Sequence, residues 1–498
     1  KIMKAVKSSN KKRSRNITIG AVIGFLLSCT AVMGVTDDKY LYIKEEQNGI
    51  EFSTNGREWN DANPYSENSW NTSTNTYTNN ITLSGKGNGV RGANYGLKLE
   101  IANSNSEFKF INNEVISGTG SGNSACGILY NGQGKIEAIT NRGEISGESS
   151  TRNSDSGYGI NISSGTIETL NNTGKIYGKS SISGSVDNKS SGSGINISGG
   201  TIGTLNNTGK IYGESIDSGF GINISGGTIE TLNNIGIISG NTTGTTSGTG
   251  NGINISSGKI GTLNNIGKIY GESNANSNTK GGYGIYIYNL NREITTINNT
   301  GIISGKAIKT SSRSSGSGIN ISSGKITNIN NTGIISGDKS NSGYGIYNKS
   351  GAVEAINNIG VIYGRSGAIN NSGGAINKVN NYGILVSCGS STINGVNNKN
   401  NKGLIFGVTS AGTYTATDYD HFGQTYDVEE TINSITKKYK VINAKAEGTE
   451  NNITGTKSLE LKNGTLTNGG SPTIDISSDE RYILNGITNT LEVSGKNN

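Results

Sequence analysis

The sequence is dominated by a thirteen-residue motif that occurs nine times. One copy reads TIETLNNTGKIYG at 166–178, and the copies begin at residues 135, 166, 201, 228, 259, 293, 325, 352 and 375. A motif that returns every 23 to 35 residues is typical of a solenoid, in which each repeat contributes one turn. We therefore expect a stack of similar turns rather than one globular core.

Each repeat contains three short apolar pieces separated by glycine or asparagine. In one repeat these are Ile160 with Ile162, Ile167 with Leu170, and Ile176. Three short strands per turn predict an all-β fold, a parallel β-helix or β-solenoid, which we expect to be right-handed. Five aliphatic side chains cannot offset the backbone entropy of a whole repeat, so the turns must stack to bury a shared core.

The asparagine pair of the motif gives the candidate structural residues. The first asparagine of each pair falls at the same place in successive turns, and amides in register can form a hydrogen-bonded ladder. We expect such a ladder of Asn171, Asn206, Asn233, Asn264, Asn298, Asn330, Asn357 and Asn380. Asparagine also tolerates the left-handed backbone of a tight turn, and Gly174 would relax the next corner.

One spacing does not fit a single straight strand. Ile167 and Leu170 are three residues apart, which would place them on opposite faces of a strand. A bend between the two residues would direct both side chains into the core, but the sequence does not locate it.

The charge is concentrated at the start of the chain. The formal net charge is +7, and the first 36 residues carry seven positive and no negative side chains. The remainder is neutral, which argues against nucleic acid as a partner.

An uncharged stretch, ITIGAVIGFLLSCTAVMG at 17–34, follows the basic residues. We interpret residues 1–34 as a secretory signal peptide that is cleaved after Gly34. Two alternatives remain open: a membrane anchor that contains Gly20 and Gly24, and a lipidation site at Cys29. The other two cysteines, Cys126 and Cys388, are about eight strand spacings apart in a stack, so we expect both to be unpaired.

Composition shifts suggest three regions after the leader. Residues 35–105 contain both tryptophans, Trp59 and Trp70, and lack the motif, so we expect an N-terminal cap. Residues 106–400 form the repeat array, beginning with a degenerate copy at 106–118. Residues 401–498 carry short apolar strands between Asn-Gly turns, which we interpret as irregular turns of the solenoid. We also expect the chain to be a fragment.

Candidate catalytic groups are scattered. Within the array the aspartates lie in variable loops, at Asp155, Asp187, Asp217 and Asp338. Glu168, Glu230 and Glu293 lie in or beside strands, but Gly203, Gly261 and Thr327 take the place of Glu168 in other repeats. We therefore expect no catalytic residues, no metal site and no cofactor.

The one local cluster of possible ligands or acid–base groups surrounds the only histidine, His421. It contains Asp418, Asp420 and Asp427. A second histidine and a nucleophile motif are missing from the sequence, which argues against a hydrolase there.

The basic leader with FLLSCTAVMG at 25–34, the tryptophan-bearing segment and the LNNTGKIYG turns together resemble the N-terminal part of an autotransporter passenger, the exported portion of a type V secretion protein of Gram-negative bacteria. The resemblance covers about residues 1–400. It implies export through an outer-membrane translocator barrel that would lie beyond this sequence.

The resemblance and the scattered acidic groups point to contact rather than catalysis. We expect a cell-surface or secreted adhesin that binds a protein or glycan on host cells, on matrix or on neighbouring cells. The alternatives are a carbohydrate-active enzyme of the β-helix type, either a polysaccharide lyase or a hydrolase, and a purely structural stalk.

Overall fold

The computed structural model describes residues 39–46, 49–88, 94–121, 124–150, 156–181, 191–244, 248–274, 281–308, 316–338, 343–387, 392–408, 414–418, 425–432, 435–443, 457–459, 464–467, 474–476, 481–485 and 492–495. By its internal contacts the chain divides into Lys1–Lys39 and Tyr40–Asn498, and the architecture below belongs to the second unit. The predicted signal peptide, its two alternatives and Cys29 lie outside the described residues.

The described residues contain strands and no helix, and most of the strands belong to three sheets of thirteen strands each. In spatial order, sheet A contains β2 (Gly49–Ser53), β1 (Leu41–Glu46), β6 (Tyr95–Ile101), β9 (Ala125–Tyr130), β12 (Gly157–Ile162), β15 (Ser191–Ile197), β18 (Ser218–Ile224), β21 (Thr249–Ile255), β24 (Tyr283–Ile287), β27 (Ile319–Ile321), β30 (Tyr344–Asn348), β33 (Gly367–Asn371) and β36 (Ile393–Asn394). Sheet B contains β3 (Ser69–Asn71), β4 (Thr76–Asn79), β7 (Lys109–Asn112), β10 (Lys135–Asn141), β13 (Thr166–Asn172), β16 (Thr201–Asn207), β19 (Thr228–Asn234), β22 (Lys259–Asn265), β25 (Glu293–Asn299), β28 (Lys325–Asn331), β31 (Ala352–Asn358), β34 (Ala375–Asn381) and β37 (Lys399–Asn401). Sheet C contains β5 (Leu83–Asn88), β8 (Val115–Ser121), β11 (Glu144–Ser149), β14 (Lys175–Ser180), β17 (Lys210–Ser215), β20 (Ile237–Thr242), β23 (Lys268–Ser273), β26 (Ile302–Ala307), β29 (Ile334–Ser336), β32 (Val361–Gly364), β35 (Ile384–Ser387), β38 (Leu404–Val408) and β39 (Tyr414–Asp418).

Each repeat contributes one strand to each sheet, and equivalent strands of successive repeats pair in parallel. Each of the nine motif copies starts with a strand of sheet B. The first copy starts with β10, and the others start with every third strand from β13 to β34. Their pairing keeps the motif in register, with Ile167 beside Ile202 and Leu170 beside Leu205. The predicted parallel β-solenoid is thus confirmed, while its right-handedness stays a prediction.

The core is a continuous set of aliphatic side chains from all three sheets. Ile162, Ile167, Leu170 and Ile176 are fully buried, and their counterparts in the other repeats continue the same cluster along the stack. Burial of each such side chain contributes about 1.5–3 kcal/mol. Successive turns therefore supply the apolar contacts that one repeat lacks.

The structure locates the bend that the sequence left open. In β13, Ile167 and Leu170 are buried, whereas Glu168 is exposed and Thr169 is partly exposed. The pairing of β13 with β16 includes Ile167 and Thr169 but omits Glu168. The strand therefore bends at Glu168, so that two consecutive side chains face solvent and the flanking aliphatic residues both face the core.

A column of glycines lies where the backbone of sheet C closely approaches that of sheet A. A Cβ atom on Gly213 would lie 2.1 Å from the carbonyl oxygens of both Gly192 and Phe220. Gly178 and Gly240, its partners in the neighbouring strands, are equally enclosed by backbone. The close contact between two backbones thus explains why eight of the nine copies end in glycine, while the copy at 375 ends in Ser387.

The role expected for the asparagine pair and Gly174 was wrong in one respect. The pair lies within a strand, and the described non-glycine residues with positive φ are Asn75, Asn289 and Asn291. Gly174 does not have a positive φ either. Its missing side chain avoids the Gly143 carbonyl of the preceding turn, which would lie 2.0 Å from a Cβ atom.

The region 35–105 already contains solenoid strands. β4, β5 and β6 pair in parallel with β7, β8 and β9 of the next turn, although the region lacks the sequence motif. At the outer edge, β2 and β3 pair antiparallel with β1 and β4. A capping role for this region stays a prediction.

The region 401–498 differs from the expected irregular turns. β38 is the last parallel strand of sheet C, and β39 pairs antiparallel with it at the edge of the sheet. The described strands from Thr425 onward form two further sheets instead. One contains β40 (Thr425–Ile432), β41 (Ile435–Asn443), β45 (Arg481–Asn485) and β42 (Lys457–Leu459), and the other contains β44 (Ile474–Ile476), β43 (Gly464–Thr467) and β46 (Glu492–Gly495).

Of the two cysteines predicted to be unpaired, Cys126 is a free, buried thiol in sheet A. Burial raises its pKa to about 12, so the thiol stays protonated at neutral pH and is a poor nucleophile. Cys388 lies outside the described residues.

The corner after the asparagine pair has an apolar residue in some turns and threonine in others. Ile359 is 3% exposed and packs against Tyr382 and Val428. Ile266 occupies the same corner in an earlier turn but is 61% exposed. Thr208, at this corner in another turn, places its hydroxyl 3.4 Å from the Asn172 carbonyl oxygen.

We predict that Ile359→Thr lowers the free energy of unfolding by about 1–2 kcal/mol, because it removes buried apolar surface. Ile266→Thr is the matched control and should change it by no more than about 0.5 kcal/mol. Urea unfolding followed by circular dichroism measures both. Equal effects of the two substitutions would contradict the burial assigned to Ile359.

Candidate functional site

The eight asparagines singled out in the sequence form one column on the outer face of sheet B. Asn206 Nδ2 donates a hydrogen bond to Asn171 Oδ1 at 2.9 Å, and Asn233 Nδ2 donates to Asn206 Oδ1 at the same distance. The column continues with similar contacts through Asn264, Asn298, Asn330, Asn357 and Asn380. We call it the outer ladder; each amide donates to the preceding turn.

A second ladder, which the sequence reasoning missed, faces the core. In the motif copies it is built from the asparagine at the second position of the pair, and it extends to Asn79, Asn112 and Asn401 outside the copies. Each amide donates to the following turn. Its members are Asn79, Asn112, Asn141, Asn172, Asn207, Asn234, Asn265, Asn299, Asn331, Asn358, Asn381 and Asn401, joined at 2.7–2.9 Å. We call it the inner ladder.

Each inner amide has several partners. Asn234 is fully buried, and its Oδ1 accepts from Asn207 Nδ2 at 2.8 Å. Its Nδ2 donates to Asn265 Oδ1 at 2.7 Å and approaches the carbonyl oxygens of Gly236 and Lys268 at 3.3 and 3.4 Å. A buried amide is stable only with such partners, so the inner ladder joins neighbouring turns and also holds the corner that follows the strand.

The repeats themselves contained a signal for the inner ladder. The copy at 135–147 has Thr140 in place of the first asparagine but keeps Asn141 as the second. The position retained in all nine copies is therefore the buried one.

We predict that Asn234→Ala destabilises the solenoid by about 2–4 kcal/mol, because it leaves buried amide groups of Asn207 and Asn265 without their partner. Asn233→Ala, one residue earlier on the outer ladder, should cost less than about 1 kcal/mol, since water can replace the lost contacts. Urea unfolding monitored by circular dichroism compares the two variants. A larger loss for Asn233→Ala would contradict the assignment.

The acidic residues named from the sequence do not form a common site among the described residues. Glu168 and Glu230 are exposed, and Glu293 is partly exposed. Asp217 and Asp338 are each 4% exposed, and the Ala307 amide donates to Asp338 Oδ2 at 2.7 Å. Asp155 and Asp187 lie outside the described residues.

The histidine cluster is described only in part. His421 and Asp420 lie outside the described residues, and Asp418 ends β39. Asp427 lies in β40 and lines a groove of about 470 Å³ with Lys378, Tyr382 and three amides of the outer ladder, those of Asn330, Asn357 and Asn380. Within the described ranges, no group of three or more His, Cys, Asp or Glu side chains could hold a metal ion.

A cleft of about 360 Å³ lies at the first turns, between β1, the start of β2 and the segment before β7. Two carboxyl groups, Glu45 and Asp61, line it together with the aromatic rings of Trp70 and Phe108. The Trp70 ring is held by contacts with Phe52 at 5.7 Å and with Phe108 at 6.1 Å between ring centroids. We call this the N-terminal cleft.

Glu45 occupies an unusual place for a carboxylate. It follows Leu41 and Ile43 at alternate positions of β1, both fully buried, and it pairs with buried Ile101 of the next strand. Burial raises the pKa of Glu45, and a hydrogen bond from Ser106 partly opposes this effect. The sequence signal that could have indicated this site is Glu45 itself, an acidic residue at the next alternate position after the apolar Leu41 and Ile43.

We predict that Glu45→Gln stabilises the first turns at neutral pH but not at pH 4. The carboxyl has a raised pKa when folded, so its contribution to stability is present below its ordinary pKa and is lost as the pH rises through the raised value. The variant cannot ionise and keeps its stability.

Fluorescence of the two tryptophans, both in this region, reports urea unfolding of the first turns at pH 4 and pH 7. A difference between variant and parent that is independent of pH would contradict the burial of this carboxyl.

Comparison of the chain with models of protein families, with curated proteins and with solved structures found no match. In the part of the chain that the structure describes, no helix combines the length and hydropathy needed to cross a bilayer.

Proposed function

We propose that this protein is an exported surface adhesin that acts by contact with molecules on host cells, on matrix or on neighbouring cells. The observation that carries the proposal is the parallel solenoid itself: three sheets share one aliphatic core, and sheet B presents the outer ladder on its outer face. Other repeat proteins that stack in this way bind their partners through the extended surfaces of the stack.

The interior supports a rigid binding scaffold. Backbone pairing joins each turn to the next in all three sheets, and the two asparagine ladders add side-chain hydrogen bonds along the same direction. A surface that is ordered before binding loses little conformational entropy when it binds. Grooves such as the N-terminal cleft and the one lined by Asp427 give this surface local shape.

Export and surface display belong to the same proposal. They rest on the basic leader with its uncharged stretch at 17–34 and on the resemblance to autotransporter passengers. A translocator barrel would be the partner for secretion.

One observation favours a second candidate, a carbohydrate-active enzyme. The N-terminal cleft contains two carboxyl groups, and the pKa of Glu45 is raised by burial. Enzymes that cleave glycosidic bonds use a pair of carboxyl groups, one of them a proton donor with a raised pKa. We place this candidate second because two acidic groups in one cleft also suit ligand binding.

Beads coated with the folded full chain are expected to bind to epithelial cells or to immobilised matrix proteins above the level of beads coated with the urea-unfolded chain. Flow cytometry and microscopy count the bound beads. The unfolded control distinguishes a surface built by the solenoid from nonspecific adhesion of the polypeptide.

Equal binding of folded and unfolded chain, or binding to no cell or matrix component, would contradict adhesion. Release of new reducing ends from soluble polysaccharides, lost in Glu45→Gln, would favour the enzyme instead.

A further inference from the structure

The N-terminal cleft holds a carboxyl group that the solenoid does not need. Glu45 stands in a column of inward positions that Leu41 and Ile43 fill with aliphatic side chains. Its Oε2 is buried and has no hydrogen-bond partner among the described residues. Burial of an unpaired carboxyl oxygen costs free energy, so this position is unfavourable for folding alone.

The surroundings of Glu45 combine apolar and polar groups in the way that a hydroxyl-rich ring requires. Trp70 supplies aromatic surface and packs against the buried Phe108 ring, while Asp61, Thr72 and Asn75 supply oxygen and amide groups. The volume of about 360 Å³ lies within the range of small-molecule sites, about 300–1,000 Å³.

We propose that the N-terminal cleft binds a sugar residue of an uncharged carbohydrate, with Glu45 as the main polar anchor. This inference rests on the proposed function and names the ligand class for one site on the adhesin surface. A sugar hydroxyl forms a hydrogen bond with the carboxyl group of Glu45, which is partly exposed as a residue, and the partly exposed Trp70 ring contacts the C–H groups of the same sugar.

The chemistry of the cleft favours a neutral sugar over a charged ligand. An acidic sugar would bring a second negative charge close to the Asp61 carboxyl group, which repels it. A cationic ligand would need an ionised Glu45, whereas the apolar surroundings oppose ionisation. A hydroxyl group can donate to a carboxylate and can also accept from a protonated carboxyl group, so it satisfies Glu45 in either state.

The test uses the full chain on an array of cello-, malto-, xylo-, manno- and chito-oligosaccharides, together with sialylated and uronic acid oligosaccharides. We expect binding to at least one of the uncharged sugars. Glu45→Gln should weaken that binding by about tenfold or more, the value of one hydrogen bond to a carboxylate.

Glu100→Gln is the matched control, because Glu100 lies on the neighbouring strand β6 and forms an ion pair with Lys98 outside the cleft. It should leave the affinity unchanged. Tryptophan fluorescence on titration with the bound sugar should change in the parent chain, because Trp70 lines the site. Urea unfolding of Glu45→Gln shows that the variant is folded.

Three results would overturn the inference: no binding to any uncharged sugar, binding to charged sugars alone, or equal affinity of Glu45→Gln and its parent. The bead experiment separates this failure from failure of adhesion. If the beads adhere to cells but no oligosaccharide on the array binds, the adhesion proposal is supported and the sugar site is rejected. If an uncharged oligosaccharide binds but the beads do not adhere, the sugar site is supported and the adhesion proposal is rejected.

Discussion

The inner asparagine ladder is the interaction on which the rest of the solenoid depends. An aliphatic core made mostly of isoleucine does not distinguish one register from another, since neighbouring turns present nearly identical side chains. A buried amide is more selective, because it is satisfied only when the next amide lies directly beside it. A slip by one residue would expose the ladder and bury the outer asparagines. The ladder therefore fixes the register that the apolar contacts then stabilise.

Other features of the motif follow from that register. The glycine at the end of the motif lies where the backbones of sheets A and C are in close contact, and it can occupy that place only if the turns stay aligned. The bend at Glu168 lets Ile167 and Leu170 both enter the core while two outward positions remain free to vary. Variation among Glu168, Gly203 and Thr327 is compatible with one fold because this outer position makes little contact with the core.

Much of this architecture could be predicted from the sequence, since nine copies of one motif show the strand spacing directly. The outer asparagines were also placed in one column, because register follows from the repeat. The inner ladder was missed because the bend at Glu168 decides which asparagine of each pair faces the core, and the periodicity of the sequence does not locate that bend. The sheets after Thr425 were missed because Asn-Gly turns occur in solenoid corners and in hairpins alike.

The N-terminal cleft could not be predicted for a different reason. Glu45, Asp61, Trp70 and Phe108 are up to 63 residues apart in the sequence, and their convergence depends on how the first turns pair. Glu45 continues the alternation of Leu41 and Ile43 in β1, but that alternation does not indicate which distant residues surround it. The repeated motif predicts the solenoid because each copy shows the same strand spacing. The cleft is formed once, by distant segments, so no repeated pattern in the sequence indicates it.

The most direct test of this account is hydrogen exchange at the asparagine side-chain amides of the folded chain, resolved by nuclear magnetic resonance. The account predicts slow exchange for the inner ladder, including Asn172, Asn207 and Asn234, and fast exchange for their outer neighbours Asn171, Asn206 and Asn233. Similar rates in the two ladders, or slower exchange in the outer one, would show that the inner amides do not hold the register.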